Sequence, residues 1–334
     1  MQPRNNRRHL EAANRVFDRV GALDAAIRIS AGRYILAYHR VLTSAEARAQ
    51  WCHPAMWVRP ETLDAHLHFF ARIGTIVPLQ ELLNAPDRKG PLFSITFDDA
   101  WIDNFERAQP VLSAHGVHAC FFVPTDAVSS GRLFWTEELA QKLGALLLGP
   151  GAPDTLEQLG WRRELADNTS ALLHQLMEYI ERLKELPMES RERVIGDLYS
   201  RLGISAAPVL GSIMSWDQIR TLASLGHSIG SHSKSHLILR DIDVARVDAE
   251  LVESKQLLEA KLGHAVDYFC FPNARYDALS RDRVLAAGYR YGFRMHNRKV
   301  RHNEHRALVP RFSASEANAE LAFLKARLVR ASFQ

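Results

Sequence analysis

The strongest constraint on this chain is the alternation of short β-rich apolar runs with amphipathic helical stretches. "RYILAYHRV" is followed by "PETLDAHLHFFARIG", then by "TIVPL", "LFSITF", "NFERAQPVLSAHG" and "ACFFVP". After an interval the alternation resumes with "SWDQIRTLASLG", "HSIGSH", "VARVDAELVESKQLLEAKLG", "DYFCFP", "SRDRVLAAG", "YRYGFRM" and "RALVPRF". Glycines at most helix ends (Gly74, Gly116, Gly226, Gly263, Gly288) return the chain to a new strand, which calls for parallel strands joined by crossover helices. The fold class is therefore α/β. No GxGxxG follows the first strand, and polar residues gather just after strand ends around the whole set. That distribution fits the C-terminal mouth of an irregular (β/α) barrel better than an open dinucleotide-binding sheet.

Residues 129–212 break the rhythm. In "NTSALLHQLMEYIERLKEL" the residues Leu172, Leu173, Leu176, Met177, Ile180 and Leu183 recur at helical spacing, which predicts a helical insertion. Its apolar stripe serves either core packing or a lid or partner surface. Residues 1–32 read as an N-terminal helical extension, 33–313 as the main domain and 314–334 as a C-terminal helix.

Composition narrows the class. A chain of 334 residues that is 47% hydrophobic and 24% charged is globular and not disordered. The net charge of +4 comes from scattered arginines, including Arg4, Arg7, Arg8 and the Arg298, Lys299, Arg301 group. These form either a solvated basic surface or a patch for an anionic partner; nucleic acid is not expected. Cys52, Cys120 and Cys270 lie far apart without CxxC spacing and read as buried thiols. The start "MQPRNNRRHLEAANRVFDRV" carries positive charge but no following apolar stretch or cleavage site. With no run of about 18 apolar residues either, the expected location is cytoplasmic, with peripheral membrane contact left open.

Two polar clusters carry chemistry. In "FSITFDDAWIDNF" the carboxylates Asp98 and Asp99 are adjacent, yet neighbours on a regular strand face opposite ways. For both to serve one site the chain must turn there. In "GSHSKSHLIL" the residues His232 and His236 stand four apart, a spacing that puts two imidazoles on one face and suits two corners of a metal site. No Glu lies between them, so the HExxH metalloprotease reading does not hold. Two imidazoles and a carboxylate suit zinc or a similar first-row divalent ion and leave a position for water.

Taken together, the chain resembles the polysaccharide deacetylases, the family-four carbohydrate esterases that share the NodB homology domain. The likeness rests on "TFDDA" against the family's TFDDG, "SHSKSHLIL" against H-(S/T)-x-x-H-x-x-L, and "FCFPNARYD" against F-x-Y-P-x-G-x-Y. "YHRV", "MSWDQIRTLASLGHSIGSH" and "LVPRF" support it, so that it covers roughly residues 33 to 313. The resemblance implies the irregular barrel of that family and removal of the N-acetyl group from an amino sugar, as a polysaccharide or a lipid- or nucleotide-linked precursor. It implies one divalent metal ion, zinc foremost, on Asp99, His232 and His236, with Asp98 as catalytic base. The backbone N–H of Asn273, after Pro272, would stabilise the oxyanion.

The departures matter as much. Many members carry an arginine before the proline of the third motif to orient the base; this chain has Cys270 and Phe271 there, and Arg311 is the candidate substitute. Ala100 stands where the family has glycine, so either its φ is negative or the turn is strained. No leucine-histidine motif supplies a general acid, and His296, His302 and His305 read as surface histidines. His39, at the end of the first strand, faces the mouth and is a candidate catalytic residue. Tyr276, Trp101 and Trp135 are candidates for stacking on a sugar ring, while Asp103 and Arg275 read as supporting residues. Two rivals remain: a catalytically silent sugar-binding protein on the same fold, and a deformylase or other C–N hydrolase with the same site.

Overall fold

A computed structural model describes residues 17–332, apart from 19–20, 31, 87–89, 211 and 319. The expected N-terminal extension therefore lies largely outside the described residues; within it, Ala22–Ile29 is helical. The chain divides into two compact units, one of residues 1–43, 54–131 and 212–334, the other of 44–53 and 132–211.

The first unit is built on a closed parallel barrel. Its strands are β1 (Arg33–Tyr38), β5 (Leu92–Phe97), β6 (Cys120–Val123), β7 (Ser228–Ser231), β8 (Tyr268–Cys270), β9 (Tyr291–Met295) and β10 (Val309–Ser313). They run in the order β1-β10-β9-β8-β7-β6-β5, and β5 returns to pair with β1 from Arg33↔Leu92 to Tyr38↔Phe97. A short β4 (Thr75–Ile76) adds to the start of β5, while β2 (Arg40–Val41) and β3 (Trp57–Val58) pair separately.

Side-chain alternation sorts each strand. Ile35, Cys120, Phe122, Tyr268, Cys270, Phe293 and Val309 share one apolar cluster. Neighbouring positions form a second aromatic set: Tyr34 stacks on Phe93, Phe93 on Phe70 of helix Pro60–Ile73, and Tyr38 on Phe97. The inward series on β5 runs through Ser94 and Thr96 to the position of Asp98, and on β10 through Val309 to Arg311. Thus the last inward residue of several strands is polar and sits at the carboxyl end of the barrel.

The second unit is helical and has its own core of Trp51, Leu139, Leu143, Leu156, Leu172, Leu176, Ile180, Leu183 and Leu198. It recruits Ser44–His53, which the sequence reading left with the barrel domain. The reason is Trp51: its indole lies where a Cβ on Gly144 would come within 2.4 Å, so only glycine admits it. Among the described residues no helix is long and apolar enough to cross a membrane.

Candidate active site

Asp98 continues β5 by one residue, its N–H donating to the Tyr38 carbonyl at 3.0 Å. Strand alternation points its side chain inward. Asp99 would then point outward, but its φ is 76° and that of Ala100 is 57°. Two successive left-handed residues reverse the chain and bring the second carboxylate back over the mouth. The family glycine is thus replaced by an alanine that keeps the glycine-like conformation, at a cost of about 1–2 kcal/mol. Backbone pairing holds the turn, with Met214 N–H donating to the Ala100 carbonyl at 2.8 Å and Ile102 N–H to the Ser212 carbonyl at 2.9 Å.

The histidines come from the turn after β7. His232 N–H donates to the Val123 carbonyl, and Ser233 and His236 are left-handed at φ 64° and 58°. A buried carboxylate shapes this turn. Glu250, in helix Val244–Leu262, accepts from the N–H groups of Lys234 and Ser235 at 3.0 and 2.8 Å and from Ser235 Oγ at 2.6 Å. His232 Nδ1 lies 2.8 Å from the Cys270 carbonyl, which accepts its N–H, so Nε2 is the nitrogen turned toward Asp99. Nε2 of His232 and of His236 lie 3.3 and 3.2 Å from the same Asp99 Oδ1. One carboxylate oxygen and two imidazole nitrogens, all within 4.8 Å of one another, converge on a single point.

That donor set fits a divalent ion of the zinc class. Asp98, His232 and Cys270 form a second such group, but Arg311 already occupies it. Arg311 Nη1 and Nη2 donate to Asp98 Oδ1 and Oδ2 at 2.7 and 2.6 Å, and Nη2 also approaches Cys270 Sγ at 2.7 Å. A fixed cation there opposes a second one. Burial pushes the Asp98 carboxyl up, but the charge and hydrogen bonds of Arg311 outweigh it and hold it below its ordinary value. Burial likewise acts to raise Asp99, and the two histidines hold it well below the carboxylate range. Burial pushes the Cys270 thiol up, so it stays protonated.

His39 follows β1 with Nε2 3.7 Å from Asp98 Oδ2, its side chain 16% exposed. Burial lowers its pKa despite the nearby carboxylates. Asn273 follows β8 in a left-handed conformation, φ 53° and ψ 14°. Tyr276 is half-buried, stacked on Phe271 with its hydroxyl accepting from Arg294 at 2.9 Å. His296, His302 and His305 are exposed, and Arg275 is half-buried. Cys120 and Cys270 are buried, whereas Cys52 is only partly so.

Of the expected sugar-stacking residues, Trp101 is placed otherwise. Trp101 is 1% exposed, so its ring offers no face to a sugar. Instead its Nε1–H donates to Asp99 Oδ2 at 3.2 Å, and the Arg40 guanidinium lies 4.1 Å above its ring. Trp135 belongs to the helical unit, where Arg191 lies 4.7 Å from its ring centroid. Sequence reasoning missed Arg40 and Glu250. Arg40 stands beside His39 in "YHRV", and a buried charge next to a strand end was the only available sign of it.

The polysaccharide deacetylase family profile matches residues 85–292, more than half of the chain. The chain belongs to that family. Among solved structures it is similar to the deacetylase PplD of Streptococcus pyogenes in complex with acetate, at 15% identity and a TM-score of 0.57, covering 90% of this chain and 98% of that one. IcaB from Ammonifex degensii is similar at 16% identity and a TM-score of 0.56, covering 89% and 97%. A de-N-acetylase from Aggregatibacter actinomycetemcomitans matches at 13% identity and 0.56, covering 89% and 99%. At these identities the structures show a shared barrel fold. No curated protein matches.

Proposed function

We propose that this deacetylase family member is a metal-dependent hydrolase that removes the N-acetyl group from an amino sugar in a polysaccharide or its lipid- or nucleotide-linked precursor. The observation that carries the reading is the convergence of Asp99, His232 and His236 on one point beside a carboxylate, Asp98, that is held by Arg311. Structural relatives named as deacetylases, one of them bound to acetate, support the class of product.

Asp99, His232 and His236 would hold a divalent ion, zinc foremost, which when bound polarises an acyl carbonyl and acidifies water. Asp98 is ionised at neutral pH and takes the proton of the attacking water. Arg311 fixes the plane of that carboxylate through two parallel bonds and cannot itself release a proton. His39, at 3.7 Å from Asp98, is the adjacent group able to pass the proton toward the leaving amine. The N–H of Asn273, on its left-handed turn, would face the oxygen that gains charge. Tyr276 would line the sugar side.

Ala100, together with the missing leucine-histidine motif, is what motivates the reading as a silent binding protein. Because Ala100 retains a φ of 57°, the turn that joins the two aspartates is kept, which supports the enzyme reading. The test is acetate release across N-acetylhexosamine glycans, lipid-linked sugars and sugar nucleotides, after chelation and again after metal is added back. Metal-restored release from at least one class is expected. Sugar binding without release would leave the silent protein, and formate in place of acetate would point to deformylation.

A further inference from the structure

Arg40 belongs to no ligand or base motif, yet it is 4% exposed and stacked on Trp101, the side chain that donates to the outer oxygen of Asp99. We propose that Arg40 is a positioning residue of the metal site, acting through the indole of Trp101 to keep Asp99 a single-oxygen ligand. The inference rests on the metal-dependent reading above.

The geometry is a chain of four side chains. Asp103 Oδ2 accepts from Arg40 Nε and Nη2 at 3.0 and 2.8 Å, and its Oδ1 accepts from Val41 N–H at 2.6 Å. Arg40 is thereby clamped in one plane over Trp101. Trp101 Nε1–H, buried from water, donates to Asp99 Oδ2. Asp99 Oδ1 alone then faces the two histidine nitrogens. A buried ion pair adds little stability by itself, whereas a cation over an indole face withdraws electron density and strengthens the N–H as a donor. A stronger donor holds Oδ2 away from the ion and keeps Oδ1 aimed at the two histidine nitrogens, so that losing it costs the preorganisation of the three ligand atoms. Without it, Oδ2 is free to swing in, and Asp99 would offer the ion two oxygens instead of one.

The test uses full-length protein. Zinc dissociation constants come from chelator competition, coordination number from the visible spectrum of the cobalt(II) form, and stability from thermal unfolding of the metal-free form. Trp101→Phe keeps an aromatic ring at the site but removes the N–H together with the pyrrole half of the indole, so the metal-free unfolding temperature reports the cavity while the metal readouts report the lost donor; it should weaken zinc binding about 10- to 100-fold, the usual range for partners of metal ligands. Its cobalt absorption should lose intensity as coordination number rises. Arg40→Met should shift both readouts the same way by about tenfold or less, and Arg40→Lys, which restores a cation, should recover part of the loss. If Arg40→Met fails to fold, Trp101→Phe still tests the link. Parent-like zinc affinity and cobalt spectra in the folded variants, with only the metal-free unfolding temperature lowered, would make the chain purely structural and overturn the proposal. A parent that binds no zinc would remove the metal reading, and this inference with it, before any variant is compared.

Discussion

Replacing Arg311 with methionine probes how the base is held. Arg311 and Asp98 are 1% and 3% exposed, joined by two bonds of 2.6 and 2.7 Å. Removing one partner of such a buried pair costs roughly 3–5 kcal/mol, because it leaves the other charge uncompensated. That is a large share of the roughly 5–15 kcal/mol that holds a folded domain together. The cost depends on pH, and its sign follows from the carboxyl. In the parent, Asp98 has a lowered pKa, so its contribution is complete above the unfolded carboxylate range and is lost as pH falls through the folded value. In Arg311→Met burial is opposed only by the weaker pull of His232 and His39, so the pKa rises relative to the parent, and where it exceeds the ordinary value stability is lost as pH rises through it. The gap between parent and variant should therefore be smallest near about pH 4 and widen toward about pH 7, in urea unfolding followed by circular dichroism. The acid limb of kcat/KM should move to higher pH in the same variant, since the base then needs a higher pH to ionise. A gap under about 1 kcal/mol that does not change with pH, together with an unmoved acid limb, would refute the reasoning.

Three further outcomes are expected. Ala100→Gly relieves about 1–2 kcal/mol of left-handed strain but loses roughly 0.8 kcal/mol of methyl burial, so its stability should change little, whereas Ala100→Val should lower both stability and metal affinity. Parent-like metal binding in the valine variant would mean that the reversal at Asp99 does not build the site. Glu250→Gln puts an amide where three donors converge, so metal affinity should fall about 10- to 100-fold with the fold retained; unchanged affinity would show that the histidine turn holds itself. His66 is 1% exposed, its pKa pushed down to about 4 by burial, with Nδ1 3.0 Å from the Tyr38 hydroxyl. Its folded value lies below the unfolded one, so stability is full above about pH 6.5 and declines by about 3 kcal/mol as pH falls to about 4. Urea unfolding of His66→Gln over that range should show a shallower decline, and an identical slope would place the acid sensitivity elsewhere.

The barrel was legible because its signal is local: each strand and each helix declares its period within a dozen residues, and parallel crossovers leave few ways to assemble them. The residues that converge at the candidate site were legible for a related reason, since Asp98 with Asp99 and His232 with His236 are close in sequence and sit at strand ends. What supports them was not. Arg40 and Asp103 meet across 63 residues, Arg311 and Asp98 across 213, and Glu250 reaches back to Lys234 from a helix whose period marks it only as a charged position. Such pairings are set by the closed barrel, not by any local pattern. Trp101 was misread because an aromatic beside an active-site motif looks the same in sequence whether it faces a sugar or is buried under an arginine. The segment 44–53 groups with the helices, and the fit of Trp51 against Gly144 that ties it there has no local signature in the sequence.

The central claim separates two adjacent carboxylates into a base and a ligand. Metal content and acetate release, measured together on the parent, Asp98→Asn and Asp99→Asn, test that division most directly. Asp98→Asn should keep about one divalent ion per chain while kcat falls roughly 10²- to 10⁴-fold, the usual loss for a general base. Asp99→Asn should lose the ion, and acetate release with it. Parent-like turnover in Asp98→Asn, or a full complement of metal in Asp99→Asn, would contradict the account.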